Sequence, residues 1–146
     1  MKLVIQRVGS ARVKIAGSGE AVGEIGEGIF ILVGVGKGDT KAEAENLAQK
    51  ISKLRIMSDD KGKMNLSVKE TGKEILVVSQ FTLYADTNEG NRPSFIKAAE
   101  PKLAEEVYEF FVKSLKDMGL KVETGRFGAY MEIEAKLDGP VTILLT

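Results

Sequence analysis

The close spacing of strand-like segments at the start of the chain is the feature that most constrains its fold. Residues 11–15 alternate apolar and basic side chains, the period of two that predicts a strand with one buried face. A glycine-rich turn at 17–19 precedes a second predicted strand at 21–25, and the apolar run 29–35 predicts a central strand covered on both faces. Since these strands have no crossover helices between them, a doubly wound nucleotide-binding fold is disfavoured.

Two amphipathic helices are predicted after these strands. Thr40 is suited to cap the first helix, because Glu43 stands three residues later and each side chain can satisfy a free amide at the other's position. The apolar residues that follow share one face. The second helix carries an apolar face between residues 103 and 118, with Pro101 suited to its first turn and Gly119 to its end.

The remaining strands complete the predicted fold. A buried strand at 75–78 leads directly to Ser79, and residues 131–137 alternate apolar and charged side chains before a Gly139-Pro140 corner and a last apolar segment at 141–145. Many strands at short spacing, together with two helices, predict an α/β protein of the α+β type. In this fold a mixed, largely antiparallel sheet or partial barrel is flanked by helices.

The composition narrows the classes of function. The chain has 146 residues, of which 43% are apolar, so residues 1–146 are sized for a single domain. Twenty-one basic residues balance 21 acidic ones, so no net charge draws a long nucleic acid to the surface, although a local contact with an RNA end stays compatible. No segment reads as a signal peptide or approaches the roughly 20 apolar residues that cross a bilayer. We therefore expect a cytoplasmic protein with no membrane partner.

The chain contains neither histidine nor cysteine, which removes several kinds of chemistry. Ser-His and Cys-His nucleophile pairs, most zinc sites and Cys-X-X-Cys redox chemistry all need one of these side chains. The glycine-rich segment 34–38 follows a buried strand, but it lacks the Gly-x-x-x-x-Gly-Lys-Ser/Thr spacing that cradles phosphate, so a turn before the helix cap is the better interpretation. We expect no metal and no cofactor.

The strongest local signal for function is the polar segment 79–86, which follows a buried strand. A strand fixes the groups at its end while leaving them open to solvent. Ser79 and Thr82 supply hydroxyls, Gln80 supplies an amide, and Phe81 supplies a face for stacking. The alternative interpretation is an ordinary strand end, in which Ser and Thr cap backbone groups.

Three further groups leave alternatives open. A Ser-Lys nucleophile pair would need Lys63 or Lys97, and no spacing selects either lysine. Arg92 either holds a phosphate or carboxylate or is a solvated loop arginine. Phe127 and Met131 either form an apolar wall for a nucleobase or belong to the core, and spacing alone favours the core.

Five motifs along the chain occur together in one known family. They are Gln6-Arg7-Val8, Ser79-Gln80-Phe81-Thr82-Leu83, Asn91-Arg92-Pro93-Ser94-Phe95, Thr124-Gly125-Arg126-Phe127-Gly128 and Asp138-Gly139-Pro140-Val141-Thr142. In order and spacing they resemble the D-aminoacyl-tRNA deacylase family, also called D-tyrosyl-tRNA deacylases, over residues 1–146. One departure is Leu137, where the family usually has Asn before Asp-Gly-Pro. A polar contact from this position is therefore in question.

The resemblance implies a hydrolase that cleaves the ester joining a D-amino acid to tRNA, and that also acts on mischarged glycyl-tRNA. It implies a homodimer with active sites at the subunit interface. By resemblance, segment 79–82 of one subunit holds the 3′-terminal adenosine and the ester carbonyl, while Phe127 and Met131 line the adenine side. Gly139 and Pro140 of the other subunit, joined by a cis peptide in the family, form a chiral filter whose carbonyls leave no room for an L side chain.

The resemblance also accounts for the missing histidine. The aminoacyl ester is already activated, and the neighbouring ribose 2′-hydroxyl can help to orient or deprotonate the water. Ser79 binds substrate, and Gln80, Phe81 and Thr82 form the catalytic segment, with backbone amides near Phe81 and Thr82 stabilising the oxyanion. Three alternatives stay open. They are an editing domain that removes an L-amino acid from tRNA, a non-catalytic module that binds RNA ends, and a serine esterase of small molecules.

Overall fold

The computed structural model describes all residues from 1 to 146 and contains eight strands and three α-helices. In chain order these are β1 (Lys2–Ile15), β2 (Ala21–Ile25), β3 (Gly28–Gly34), α1 (Lys41–Lys53), β4 (Met57–Ser58), β5 (Met64–Leu66), α2 (Val68–Thr71), β6 (Glu74–Ser79), a 3-10 turn (Phe81–Tyr84), α3 (Pro101–Asp117), β7 (Lys121–Thr124) and β8 (Met131–Leu145). None of the helices combines the length and the apolar character that crossing a bilayer requires.

Six of the strands form one mixed sheet, as the sequence predicts. The strand order is β2-β1-β3-β6-β7, and β8 also pairs with β1. Strand β1 is antiparallel to β2, β3 and β8, whereas β3, β6 and β7 run parallel to one another. Parallel neighbours need long crossovers, and the segments carrying α1 and α3 supply them. The α+β class is confirmed, with parallel pairing confined to one side of the sheet.

Both long helices begin where the sequence predicts, and the second also ends there. Glu43 accepts a hydrogen bond of 2.6 Å from the Thr40 amide at the start of α1. Hydrogen bonds from the Thr40 hydroxyl and amide hold the pKa of the Glu43 carboxyl below its ordinary value. Pro101 opens α3, and Gly119 follows its end with a φ of 82°, a left-handed conformation that suits glycine.

Three short features of the fold have no counterpart in the sequence prediction. They are the β4–β5 hairpin, the four-residue helix α2 and strand β7. Strand β8 runs from Met131 to Leu145 and includes the predicted corner at Gly139-Pro140. The pairing of β8 with β1 is interrupted at this corner, because Thr142 pairs with Gln6 and Leu137 with Val8, which leaves residues 138–141 unpaired as a bulge.

Strand β6 is fixed from both faces of the sheet. Its residues Ile75 and Val77 belong to the larger core cluster, which α1 and α3 cover, while Leu76 and Val78 belong to a smaller cluster on the other face. All four side chains are at most 1% exposed. Because alternate residues of a strand point to opposite faces, both clusters restrain the strand up to Ser79, where the candidate site begins.

Candidate functional site

The segment after β6 folds into a 3-10 turn held against the end of β3. The Gln80 amide donates to the Val33 carbonyl at 2.8 Å, which continues the β6–β3 pairing by one residue. The turn closes with a hydrogen bond of 3.3 Å from Leu83 to the Gln80 carbonyl and one of 3.0 Å from Ala85 to the Thr82 carbonyl. The sequence prediction of an exposed polar segment at a strand end is confirmed.

Two main-chain amides of the turn have no acceptor among the turn and loop hydrogen bonds. The main-chain amides of Phe81 and Thr82 are not among the donors of the turn and loop hydrogen bonds, whereas those of Gln80, Leu83 and Ala85 are. The Gln80 side-chain amide donates to the Thr82 hydroxyl. A hydroxyl that receives a hydrogen bond from an amide has no base in that contact, so this pairing positions Thr82 without activating it.

The two lysines considered as partners for a serine nucleophile are placed elsewhere. The Lys97 ammonium lies 2.7 Å from the Asp86 carboxylate. This hydrogen bond raises the pKa of Lys97 and lowers that of Asp86, so Lys97 is held in its charged form. Lys63 lies in the β4–β5 loop, where its main-chain amide donates to Asp59. Neither lysine side chain donates a hydrogen bond to Ser79 or Thr82.

A cavity of about 720 Å³ lies beside the turn, and 12 of the 16 residues that line it are hydrophobic. It brings together five of the predicted site residues, from two regions of the chain that are more than 40 positions apart: Ser79, Gln80, Phe81, Phe127 and Met131. Phe127 and Met131 are half-buried, and each packs on a core cluster while also lining the cavity. The two residues therefore belong to the edge of the core and to the wall of the cavity at once, and a role in holding a nucleobase stays a prediction.

The cavity also has lining residues that sequence reasoning missed. Phe95 packs edge-on against Phe81, with ring centroids 5.1 Å apart, although both rings are largely exposed. Tyr130 is 86% exposed, and its backbone carbonyl is fixed by the Ala16 amide at 2.9 Å. An aromatic residue inside a polar loop was the available signal for Phe95. Arg92, in the same loop, does not line the cavity.

Gly139 and Pro140 do not reach this cavity within the chain. They are joined by a cis peptide bond, as the resemblance implied, and both are exposed. Gly139 borders a separate cavity of about 310 Å³ near Val8 and Leu137. Leu137 is 47% exposed and occupies the position of the family's asparagine without a polar group.

Arg7 lies under the Gly139-Pro140 corner. Its guanidinium donates to the Ile56 carbonyl at 2.9 Å and to the Ser58 hydroxyl at 3.3 Å. Its Nε lies 3.1 Å from a carboxylate oxygen of Asp138, but the N–H is not directed at that oxygen, so this contact is an ion pair without a hydrogen bond. These contacts tie the corner to the β4–β5 hairpin.

The site contains the groups needed to bind and polarise a ligand. No three side chains of the types that ligate metals cluster anywhere in the chain. Burial, followed by the nearby Asp39 charge, raises the pKa of Tyr84 to about 12. An apolar cavity lined by aromatic rings, a hydroxyl and an amide side chain is the kind of site that binds a flat polar ligand such as a nucleobase.

Comparison with known proteins gives the family. The family model described as D-Tyr-tRNA(Tyr) deacylase matches residues 4–146. A D-aminoacyl-tRNA deacylase of Dehalococcoides mccartyi is 55% identical over 145 residues, which cover 99% of this chain and 94% of that protein. The chain therefore belongs to the D-aminoacyl-tRNA deacylase family, whose members are hydrolases.

Two solved structures share the fold. One, named c-Myc DNA Unwinding Element Binding Protein, superposes with a TM-score of 0.92 at 41% identity and covers 100% of this chain and 98% of that one. Another, described as a probable eukaryotic D-amino acid tRNA deacylase, has a TM-score of 0.84 at 14% identity and covers 99% of this chain and 97% of that one. At that identity the second likeness concerns the fold alone.

Proposed function

We propose that this protein hydrolyses the ester bond of D-aminoacyl-tRNA, releasing the D-amino acid and the tRNA. The observation that carries the proposal is the cavity that joins an aromatic and apolar wall to the turn, where the amides of Phe81 and Thr82 are not donors in the turn and loop hydrogen bonds. The wall suits the 3′-terminal adenine, and the turn lies beside it where the ester would follow. Family membership sets the substrate class.

In this proposal Phe127 and Met131 hold the adenine, while Ser79 and the Gln80 amide hold polar groups of the ribose and the ester. The carbonyl oxygen of the ester faces the main-chain amides of Phe81 and Thr82. Fixed donors that meet the developing oxyanion stabilise the transition state more than the ground state, which is the requirement for catalysis.

The proposed mechanism takes part of its chemistry from the RNA. The ribose 2′-hydroxyl beside the ester orients or deprotonates the attacking water, so the protein needs no side-chain base. Because Thr82 is hydrogen-bonded to Gln80, we assign it a positioning role. Gln80, Phe81 and Thr82 form the catalytic segment through their position and their amides.

We further propose a homodimer in which Gly139 and Pro140 of one subunit complete the cavity of the other. Support comes from their exposure in the single chain and from apolar residues of β8 that the chain covers only in part, Ile133 at 37% and Leu137 at 47% exposed. In the completed site these two residues exclude an L side chain by occupying its space. Rejection by exclusion admits many D side chains, and it admits glycine, which has no side chain to exclude.

The competing functions make different demands on the site. A serine esterase needs a base at Ser79 or Thr82, and the contacts of Lys63 and Lys97 supply none. Broad binding of DNA needs a positive surface. One structural relative is named for binding a DNA element. This chain has 21 basic and 21 acidic residues, so it carries no net positive charge that would favour such binding. We place the protein in the cytoplasm, where aminoacyl-tRNA is used.

One experiment separates these functions: incubation of the protein with D-tyrosyl-, L-tyrosyl- and glycyl-tRNA, with ester loss followed over time. The proposal expects rapid loss of the D ester, sparing of the L ester and cleavage of the glycyl ester. Comparable cleavage of D and L esters would contradict rejection by exclusion, and tRNA binding without hydrolysis would favour the RNA-end-binding module. Preferential loss of the L ester would favour the other editing class.

A modified substrate tests the role of the RNA. A tRNA ending in 2′-deoxyadenosine, with the D-amino acid linked at the 3′ position, should be nearly inert. Thr82→Ala and Ser79→Ala proteins should retain measurable hydrolysis of the normal substrate, because neither hydroxyl is the nucleophile. A completely inactive Thr82→Ala protein, combined with normal cleavage of the deoxy substrate, would overturn the RNA-assisted mechanism.

A further inference from the structure

The C-terminal end of the 3-10 turn is attached, through Tyr84, to a cluster of polar and charged groups around Asp39. The proposed chemistry does not use this cluster. One carboxylate oxygen of Asp39 accepts from the Gly36 amide at 2.7 Å and from the Tyr84 hydroxyl at 3.2 Å, and it lies 2.6 Å from the ammonium nitrogen of Met1. The Asp39 side chain is 16% exposed. Three donors meeting on one carboxylate that is mostly shielded from water form a strong local anchor.

Tyr84 is the last residue of the turn that begins at Phe81, so this anchor acts on the catalytic segment. Two further contacts hold the same end of the turn. The Lys2 ammonium donates to the Leu83 carbonyl at 3.2 Å and lies 4.7 Å from the centre of the Tyr84 ring. All these contacts involve the end of the turn at Leu83 and Tyr84, whereas Phe81 at its start is 55% exposed.

The glycines of this region bring the turn close to β3 and the segment after it. A methyl group on Gly34 would lie 3.0 Å from Cβ of Leu83 and 3.2 Å from the Gln80 carbonyl oxygen. One on Gly36 would lie 2.5 Å from the Tyr84 ring. The turn therefore lies so close to Gly34 and Gly36 that no side chain fits between them. This close packing means that a displacement of Tyr84 would be passed to the amides of Phe81 and Thr82.

We propose that Tyr84 and Asp39 are positioning residues that hold the Phe81 and Thr82 amides at the geometry the reaction requires. This inference rests on the proposed function, because it assigns those amides to the oxyanion. Neither side chain touches the substrate in this arrangement. Their effect is on how accurately the amides meet charge that develops only in the transition state, so their loss lowers kcat while substrate binding is retained.

The test compares two tyrosine variants that each lose one hydrogen bond. Tyr84→Phe removes the contact with Asp39. Tyr108→Phe removes a 3.0 Å hydrogen bond to the Val77 carbonyl inside the core, where that carbonyl keeps the Gly125 amide as a donor. We expect Tyr84→Phe to lower the single-turnover rate on D-tyrosyl-tRNA by about ten- to a hundredfold with KM within about twofold. Tyr108→Phe should lower Tm at least as much while keeping the rate within about twofold.

Variants of Asp39 and Gly36, which lie next to Tyr84 in the same chain, give a second, independent test of the inference. Asp39→Asn keeps an acceptor for the Gly36 amide and the Tyr84 hydroxyl, so it should retain more of the rate than Asp39→Ala. Gly36→Ala should push the far end of the Tyr84 ring away from Asp39 and lower the rate as Tyr84→Phe does. Asp117→Asn, at the exposed end of α3, is the matched control and should leave the rate unchanged.

Amide hydrogen exchange tests the positioning without relying on activity. The Leu83 and Ala85 amides are hydrogen-bonded within the turn, and their exchange should become faster in Tyr84→Phe but not in Tyr108→Phe. Unchanged exchange at both amides, or a Tyr84→Phe rate within twofold of the parent protein, would overturn the inference. If the parent protein cleaves no D-aminoacyl-tRNA, the proposed function fails, and the exchange measurement still decides whether Tyr84 holds the turn.

Discussion

Helix α3 and strand β8 each carry an apolar stripe, but the two stripes are buried to different extents in the folded chain. The apolar stripe of α3 includes Val107, Phe111 and Leu115, which are at most 2% exposed beneath the sheet. The stripe of β8 includes Ile133 and Leu137, which are 37% and 47% exposed. The difference arises because α3 packs on a sheet face, whereas this part of β8 pairs with β1 and its apolar side is covered only in part by the chain.

This difference separates the parts of the molecule that stabilise the fold from those that complete the proposed site. Periodicity identifies which face of an element is apolar, but it does not identify what covers that face. On our account the α3 stripe is covered within the chain, and the β8 stripe is covered by a second copy. The two stripes should therefore respond differently to substitution and to protein concentration.

The largest effect is expected in the α3 stripe. Phe111 is fully buried, so Phe111→Ala should lower the free energy of unfolding by about 3–5 kcal/mol through lost burial and the cavity that remains. Urea unfolding followed by circular dichroism measures this change. Exposed Leu103 on the same helix is the matched control, since Leu103→Ala should have a much smaller effect. Equal losses at the two positions would contradict the difference in burial.

The next effect is expected in the β8 stripe, and it concerns assembly. Ile133→Asp would place an unpaired charge in the proposed interface, so it should raise the dimer dissociation constant at least a hundredfold, or about 3 kcal/mol. Sedimentation at several concentrations measures this change, and the circular dichroism spectrum should remain that of a folded chain. Glu132→Gln, next to it on the strand, is the control. An Ile133→Asp protein that sediments like the parent protein would contradict the proposal that a second copy of the chain covers this part of β8.

The smallest effect is expected for the charged side of the same strand. Lys14 donates to Glu134 at 3.0 Å, and this hydrogen bond lowers the pKa of the Glu134 carboxyl from its ordinary value of 4.5. A lowered pKa in the folded state means that the contribution to stability is present above 4.5 and is lost as the pH falls through the lowered value. Glu134→Gln should barely change the urea midpoint at pH 7, because exposed pairs are screened by water. A large change in that midpoint would contradict this.

The secondary structure was mostly predictable because its signals are local. The Thr40 cap, Pro101 and the apolar periods each act within a few residues. Helix α2 also had such a signal, since Ser67 accepts from the Glu70 amide and Glu70 accepts from the Ser67 amide, but four residues carry no visible period. The β4–β5 hairpin depends on Asp59, whose carboxylate accepts from the amides of two later loop residues.

The site was predictable only in part, because its parts meet through tertiary structure. The exposed segment after β6 follows from the buried run that ends at Ser79. The contact of Phe95 with Phe81 depends on the path of the 86–98 loop, which shows no periodic pattern. Phe127 could not be assigned to wall or core from spacing, because it serves as both.

Subunit mixing tests the central claim, that one site needs the Gln80 turn of one copy and the Gly139-Pro140 corner of another. A Gln80 variant and a Pro140 variant, each chosen because it has lost activity on D-tyrosyl-tRNA, would be mixed under conditions in which mass spectrometry of labelled subunits proves exchange. Random exchange makes half of the dimers mixed, each with one intact site, so activity on D-tyrosyl-tRNA should return to about a quarter of the parent value. No regained activity despite proven exchange would contradict a site shared between copies.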